Sequence, residues 1–232
     1  MLRGRDRQRV AVDALLARAR AGHGGALVLR GGPGSGKTAV LAAARQAAAT
    51  TDRQVVLCVD DAHLLEDTDW LVELAAHAAD EPVAVLIATE GEPLGLPWVR
   101  LDPLDHADSL RVLRDLRPGL APGLADDVAD LARGNPLALT ELARALTSEQ
   151  LGGTAPAPDA LPEDSSLRAR FGARFQALSP QARFAVALSV VDDEVDADAL
   201  ARRARPGRPG PRHGVPAGGD RQRRQPGRLR AR

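Results

Sequence analysis

The chain has 232 residues, 44% of them hydrophobic and 2% aromatic, and a formal net charge of zero at neutral pH. Its single cysteine excludes an intrachain disulfide, no apolar run approaches the roughly 20 residues of a membrane span, and the N-terminus lacks the apolar stretch of a signal peptide. We therefore expect a cytoplasmic protein of one main domain and a smaller companion, with no membrane partner.

Short apolar strands alternate with helices over the first hundred residues. The strands are predicted at 26–29, 55–59, 83–88 and 98–101. The helices are predicted at 6–20, 38–49 and 69–79. Asp6 is the predicted N-cap of the first helix, and Cys58 is predicted to be buried in the second strand. Because the strands do not alternate polar with apolar residues, we expect an α/β fold with a parallel sheet of about four strands, covered on both faces.

From residue 103 onward the pattern is helical. Two helices are marked by apolar residues at helical spacing, Leu110, Leu113 and Leu116 in one and Leu124, Val128 and Leu131 in the next. Gly134 ends the second helix, Asn135 can cap a third, and Pro136 suits its first turn. The predicted parts of the chain are a core, a helical lid, a linker, a partial helical domain and a tail, at 1–102, 103–146, 147–165, 166–200 and 201–232.

The tail carries a charge that the overall composition hides. Residues 201–232 hold 11 arginines and one aspartate, so the rest of the chain carries 20 basic and 30 acidic residues. Because the tail is rich in Arg, Pro and Gly, it has too little apolar surface to fold, and we predict that it is disordered. Its arginines would permit nonspecific contact with nucleic-acid phosphates, but the tail has no aromatic residue for stacking, and we favour the disordered interpretation.

A single lysine stands among the 31 basic residues, and it is Lys37. It lies in a segment that fits the pattern G-x-x-x-x-G-K-[ST], between a predicted strand and a predicted helix. Backbone N–H groups of such a loop hold phosphate, the slim lysine ammonium bridges phosphates where a guanidinium does not fit, and Thr38 ligates Mg²⁺. The predicted nucleotide-binding residues of this loop are Gly31, Gly32, Pro33, Gly34, Ser35, Gly36, Lys37 and Thr38.

Two adjacent acids, Asp60 and Asp61, follow the predicted strand at 55–59. An acid at the end of such a strand can hold the metal shell of a nucleotide site, so Asp60 is the predicted Mg²⁺-side acid and Asp61 the candidate catalytic residue that positions water. Two adjacent acids are also common where a strand leads into an exposed loop. The presence of the phosphate loop is the reason to favour a role at the nucleotide site. His63 is interpreted as a loop histidine, and no metal other than Mg²⁺ is predicted.

These segments together resemble the signal-transduction ATPases with numerous domains (STAND), above all the AAA-like ATPase module of large LuxR-type transcriptional regulators. The matching segments besides the phosphate loop are 4–6, 55–63, 83–89, 101–104 and 134–139. The resemblance covers about residues 2–146. It implies a P-loop NTPase sheet of ASCE-type order, with strand 83–89 between the other two long strands.

The resemblance also implies a function and two further site residues. Arg5 would lie near the nucleotide, and Pro136 would contact the nucleotide from the lid. Modules of this kind switch between ATP-bound and ADP-bound states, and a protein or small-molecule effector, unknown here, biases the two states. We therefore expect an ATP-binding regulatory switch that is shorter than the regulators it resembles.

Three departures from the family pattern modify this expectation. Only 22 residues separate Lys37 from Asp60, where family members usually place another strand, so we expect a missing edge strand and an exposed apolar edge. Glu90 follows Thr89, where the family commonly has arginine, so any ATP hydrolysis is expected to be slow. No helix-turn-helix is recognised, so DNA-binding regulation is not predicted.

Two other classes of function stay open on the sequence alone. One is a non-hydrolysing interaction module, or a gene remnant, with a vestigial nucleotide site. The other is a small-molecule kinase, which shares the phosphate loop, although the short segment 38–54 leaves little room for a pocket that binds a phosphate acceptor.

Overall fold

The computed structural model describes residues 2–49 and 55–191 of the chain. The predicted tail at 201–232 and residues 192–200 of the predicted helical domain lie outside the described residues. The chain divides into two compact units, Met1–Phe175 and Gln176–Arg232. The first unit contains the sheet, the phosphate loop and the helices that follow it.

Four parallel strands form the sheet of the first unit. They are β1 (Gly25–Arg30), β2 (Val55–Val59), β3 (Val83–Thr89) and β4 (Trp98–Arg100). Their order across the sheet is β2-β3-β1-β4, and every pairing is parallel. The predicted α/β fold is confirmed, and so is the predicted position of β3 between β1 and β2.

Three helices cover the sheet, and the alternation of strand side chains divides the core between its two faces. These helices are α1 (Asp6–Arg20), α2 (Lys37–Ala48) and α3 (Asp69–His77). Leu29 of β1 packs in the cluster that α1 and α2 contribute to, whereas the preceding Val28 packs in the cluster that contains Leu71 of α3. All three side chains are fully buried. The sheet is therefore apolar on both faces, as its composition predicts.

The start of α1 differs from the prediction. Arg5 occupies the cap position, Asp6 is the first helical residue, and no side chain caps the helix. Arg5 is buried, and its guanidinium donates hydrogen bonds to backbone carbonyl groups of Ser35 and Asp102 outside the helix. Asp6 instead pairs with Arg9 at 3.0 Å, and its carboxylate still lies in the first turn, where the helix dipole favours a negative charge.

β2 is less buried than predicted. Val55 is 52% exposed, Leu57 is 38% exposed, and Cys58 is half-buried. The reason is its position, because within the described residues β2 pairs with β3 and with no other strand. An apolar run does not distinguish an edge strand from a central one. Val55 and Leu57 give β2 the exposed apolar edge that the sequence analysis expects.

Three helices form a separate cluster after the sheet. They are α4 (His106–Leu116), α5 (Pro122–Ala132) and α6 (Pro136–Ala145), and each contributes to one apolar core. Asn135 caps α6 as predicted, because its Oδ1 accepts hydrogen bonds from the backbone N–H groups of Leu137 and Ala138 at 3.0 and 3.2 Å. Pro136 occupies the first turn, where a missing N–H costs nothing.

The remaining helices are α7 (Ser148–Leu151), α8 (Ser166–Ala177) and α9 (Pro180–Val191). Glu141 of α6 holds the start of α8, because the hydroxyl groups of Ser165 and Ser166 donate hydrogen bonds to its carboxylate at 2.5 and 2.6 Å. In the second unit, Ser179 caps α9 as predicted. Over the described part of the chain, each helix is too short or too polar to cross a membrane.

Candidate phosphate-binding site

The phosphate loop connects the end of β1 to the start of α2, and two of its glycines adopt conformations that other residues rarely take. Gly34 has φ +72° and Gly36 has φ +94°. A Cβ atom on Gly34 would also lie 2.5 Å from Oδ1 of Asn135. Gly36 is the cap residue of α2, so the backbone N–H groups at the start of this helix face the loop, where an anion is favoured.

Lys37 lies over the loop. Its side chain is 6% exposed, and its Nζ donates hydrogen bonds to the carbonyl oxygens of Gly31 and Gly32 at 2.8 and 2.9 Å. Burial lowers the pKa of Lys37, although the nearby carboxylates of Glu90 and Asp61 act in the opposite direction. The ammonium is thus held against the backbone of the loop that would bind phosphate.

Thr38 and Asp60 meet in the structure. Oγ1 of Thr38 donates a 2.7 Å hydrogen bond to Oδ2 of Asp60, and the backbone N–H of Asp61 donates to the other carboxylate oxygen at 2.9 Å. The described residues hold no cluster of three or more His, Cys, Asp or Glu that would suit a metal ion. Mg²⁺ at a nucleotide site needs one or two protein oxygens, completed by phosphate oxygens and water, and this pair fits that requirement.

Asp61 adopts a left-handed backbone conformation with φ +50°, immediately after Asp60. Its side chain is 43% exposed, and Oδ1 lies 3.9 Å from Nη2 of Arg170 in α8. The carboxylate is thus close to the phosphate loop and faces a cation from another element. The role in positioning water that the sequence assigns to Asp61 stays a prediction.

Glu90 is the buried centre of a charged cluster. Its side chain is 7% exposed and forms an ion pair with Arg174 of α8. Oε1 of Glu90 lies 3.6 Å from Nζ of Lys37, and Oε2 lies 3.9 Å from Nε2 of His63. Oε1 is buried and has no hydrogen-bond partner within the described part of the chain. His63, interpreted from the sequence as a loop histidine, therefore lies beside the carboxylate that pairs with Lys37.

Arg5 supports the loop from its buried side. Nη2 donates a hydrogen bond to the carbonyl oxygen of Ser35 at 2.8 Å, and Nη1 donates to that of Asp102 at 2.6 Å. Burial lowers the pKa of Arg5, against the effect of the nearby carboxylates of Asp102 and Asp108. Arg5 thus lies at the phosphate loop and contacts its backbone, and the position near the nucleotide that the resemblance gives it stays a prediction.

The cap of α6 contacts the loop directly. Nδ2 of Asn135 donates a hydrogen bond to the carbonyl oxygen of Pro33 at 2.9 Å, and the backbone N–H of Leu137 donates to that of Gly34 at 3.2 Å. Because the Asn135 side chain caps the helix at the same time, the first turn of α6 and the phosphate loop hold each other in place.

A cavity of about 430 Å³ lies between the phosphate loop and the helices that follow the sheet. Its lining includes Gly32 and Pro33 of the loop, Arg133 and Pro136 at the turn before α6, and Phe171 of α8. This volume is within the usual range for small-molecule sites, and a mostly apolar lining suits a planar base. Pro136, which the resemblance places against the nucleotide, lines this cavity beside the loop.

The sequence analysis missed the contribution of α8. This helix brings Arg170 to Asp61, Arg174 to Glu90 and Phe171 to the cavity. A signal was available, because arginines four residues apart lie on one face of a helix. The spacing does not say what that face contacts.

No protein-family model and no curated protein matches the sequence. Among solved structures, the chain is similar to a STAND protein with a tetratricopeptide repeat sensor from Pyrococcus horikoshii, with 15% identity, a TM-score of 0.46, and coverage of 81% of this chain and 35% of that one. It is also similar to domain III of the replication initiation protein DnaA from Thermotoga maritima, with 17% identity, a TM-score of 0.49, and coverage of 67% and 88%. A third is the Drosophila ORC bound to DNA, with 14% identity, a TM-score of 0.45, and coverage of 88% and 73%. Likenesses at this level assign neither a family nor an activity to the chain.

Proposed function

We propose that this chain binds ATP and ADP with Mg²⁺ and works as a nucleotide-dependent regulatory module. The observation that carries the proposal is the convergence of three groups at one loop. The buried ammonium of Lys37 lies over the phosphate loop, and the Thr38 hydroxyl meets the Asp60 carboxylate at 2.7 Å beside it. A phosphate-binding loop of this sequence, between a strand and a helix, is typical of nucleotide sites.

Each part of a nucleotide has a corresponding group in this site. The β-phosphate would accept hydrogen bonds from the loop backbone and the start of α2, and Lys37 would bridge phosphate oxygens. Thr38 and Asp60 would hold Mg²⁺, which neutralises phosphate charge when bound. The base would occupy the 430 Å³ cavity beside Pro136. Arg5 would act by fixing the backbone of Ser35.

The contact between loop and lid supports a switching role. Asn135 and Leu137 donate hydrogen bonds to the loop carbonyl groups of Pro33 and Gly34. A shift of the loop on binding or losing nucleotide would therefore reach the first turn of α6 directly. The resemblance of the sequence to STAND modules and to those of LuxR-type regulators adds the expectation of an effector, a protein or a small molecule, that biases the two states.

Hydrolysis is not required for this role, and we expect it to be slow. Asp61 is our candidate for positioning water, and its carboxylate faces Arg170 at 3.9 Å. The buried carboxylate of Glu90 beside Lys37 would oppose the negative charge that develops during phosphoryl transfer.

The alternative is an interaction module that does not bind nucleotide. The exposed apolar residues Val55 and Leu57 on β2 favour it, because an open strand edge is a place where another chain can pair.

Equilibrium binding of Mg²⁺-ADP to the full chain tests the proposal. Lys37→Ala is expected to weaken binding by about 10- to 100-fold, the usual effect of removing a charge-assisted hydrogen bond. Arg7→Ala, which removes an exposed cation from α1, is the control and should bind as the wild type does. If the folded wild-type chain binds no nucleotide, the interaction module replaces the nucleotide switch.

A further inference from the structure

Glu90 follows β3 directly, and β3 pairs with the strand that leads into the phosphate loop. The last pair of that register is Arg30 with Thr89, so Gly31 and Glu90 leave the sheet side by side. A second, more polar cavity of about 260 Å³ opens there, with Gly31, Gly32 and Glu90 in its lining. Glu90 therefore places a carboxylate beside the start of the phosphate loop, and it is not among the residues that line the larger cavity proposed for the base.

The charges around Glu90 resemble those that a terminal phosphate would need. Its carboxylate lies between two cations, Lys37 at 3.6 Å and Arg174 in an ion pair, with the His63 ring at 3.9 Å. The lysine of a phosphate loop reaches the β- and γ-phosphates of a bound triphosphate. The Glu90 carboxylate thus already lies at the ammonium that a γ-phosphate would contact.

A diphosphate and a triphosphate differ in how much negative charge they bring next to the Glu90 carboxylate. A diphosphate ends one phosphate earlier, so it can bind while Glu90 keeps its contacts with Lys37 and Arg174. A triphosphate would bring a further anion to Lys37, close to a carboxylate that is only 7% exposed and weakly screened by water. Oε1, the oxygen nearest Lys37, is buried and has no hydrogen-bond partner among the described residues.

We propose that Glu90 is a specificity-determining residue that makes this site select nucleoside diphosphates over triphosphates. Its carboxylate occupies the position of the third phosphate and pairs with the cations that this phosphate would contact. The inference rests on the proposed nucleotide site and deepens it. Under this proposal the chain in the presence of both nucleotides is held in its diphosphate state, and the partner or effector that promotes exchange must displace Glu90 from Lys37.

The experiment compares the equilibrium binding of Mg²⁺-ADP and of Mg²⁺-AMP-PNP, a triphosphate that resists hydrolysis, to the full chain. The wild type should bind ADP at least about tenfold more tightly, as expected for one like-charge contact in a poorly solvated site. Glu90→Gln should strengthen AMP-PNP binding by about tenfold and change ADP binding less than about threefold. Glu92→Gln is the matched control, because it removes the same charge from a side chain that is 80% exposed, and its ADP preference should equal that of the wild type.

The outcomes separate the two proposals. Equal affinity of the wild type for the two nucleotides overturns the selectivity even if Glu90→Gln does not fold, and so does an unchanged preference in a Glu90→Gln protein that still binds ADP. Nucleotide binding itself would stand in both cases. Failure of the folded wild type to bind either nucleotide overturns the proposed function, and the selectivity with it.

Discussion

The side-chain amide of Asn135 lies 2.9 Å from the carbonyl oxygen of Pro33, across 102 residues of sequence. The same side chain accepts hydrogen bonds from the first turn of α6 through its other polar atom. Asn135 therefore restrains the phosphate loop and caps the start of α6. Because its side chain binds both the loop and the first turn of α6, Asn135 directly links the candidate nucleotide site to the helices that follow the sheet.

We predict that Asn135→Ala reduces both stability and nucleotide affinity. Loss of the cap should cost about 1 kcal/mol in the free energy of unfolding, and the unsupported loop should bind Mg²⁺-ADP more weakly. Asp105→Ala is the matched control, because Asp105 caps α4 in the same way, accepting from the N–H of Asp108 at 2.7 Å. It should lose similar stability and keep its ADP affinity. An equal loss of affinity in both variants would contradict the link, and denaturant unfolding with calorimetric titration measures both quantities.

A second prediction concerns the metal. Thr38→Val removes the hydroxyl that meets Asp60 and nearly keeps the shape of the side chain, whereas Thr38→Ser keeps the hydroxyl. We expect the gain in ADP affinity from Mg²⁺, relative to EDTA, to be much smaller in the valine variant and to be retained in the serine variant, because valine offers no oxygen to the metal shell and leaves Asp60 as the protein's contribution. A Thr38→Val protein that keeps the full wild-type gain in affinity from Mg²⁺ would exclude Thr38 as a metal ligand.

The pairing of Arg174 with Glu90 predicts coupled effects on stability in the absence of nucleotide. Arg174→Gln should destabilise the protein, because it leaves the buried Glu90 carboxylate with fewer cations. In a Glu90→Gln background the same change should cost less, with a coupling energy of about 1 kcal/mol. Arg168→Gln, on the same helix and exposed, should behave alike in both backgrounds. Additive effects of Arg174 and Glu90 in urea unfolding would show that the pair contributes nothing.

Glu141 predicts a pH dependence of stability. Burial opposes its charge, but hydrogen bonds from Ser165 and Ser166 outweigh this effect and lower the pKa of Glu141 below its usual value. Because the pKa is lower in the folded state, the contribution to stability is complete above the unfolded-state pKa of about 4.3 and is lost as the pH falls through the folded-state pKa. Tm measured between pH 3 and about 6 should therefore fall less steeply in Glu141→Gln than in the wild type. Glu163→Gln, at an exposed position, is the control and should follow the wild-type curve.

The sequence by itself determined the local part of the site. The glycine pattern around Lys37 predicts a loop between a strand and a helix, and the structure shows such a loop, with positive φ at Gly34 and Gly36. The cap at Asn135 was predictable for the same reason, because such motifs depend on hydrogen bonds within a few residues. The strands, too, were visible as short apolar runs, since burial on both faces leaves no polar positions.

Only the tertiary structure decided which distant residues meet. Arg174 pairs with Glu90 across 84 residues, and no local pattern around either residue indicates the other. The half-buried state of Cys58 in β2 likewise depends on what lies beside that strand, which its own apolar residues do not encode. Local conformation follows from the covalent geometry and hydrogen bonds of neighbouring residues, whereas the partner of a charged side chain follows from how the whole chain buries its apolar surface.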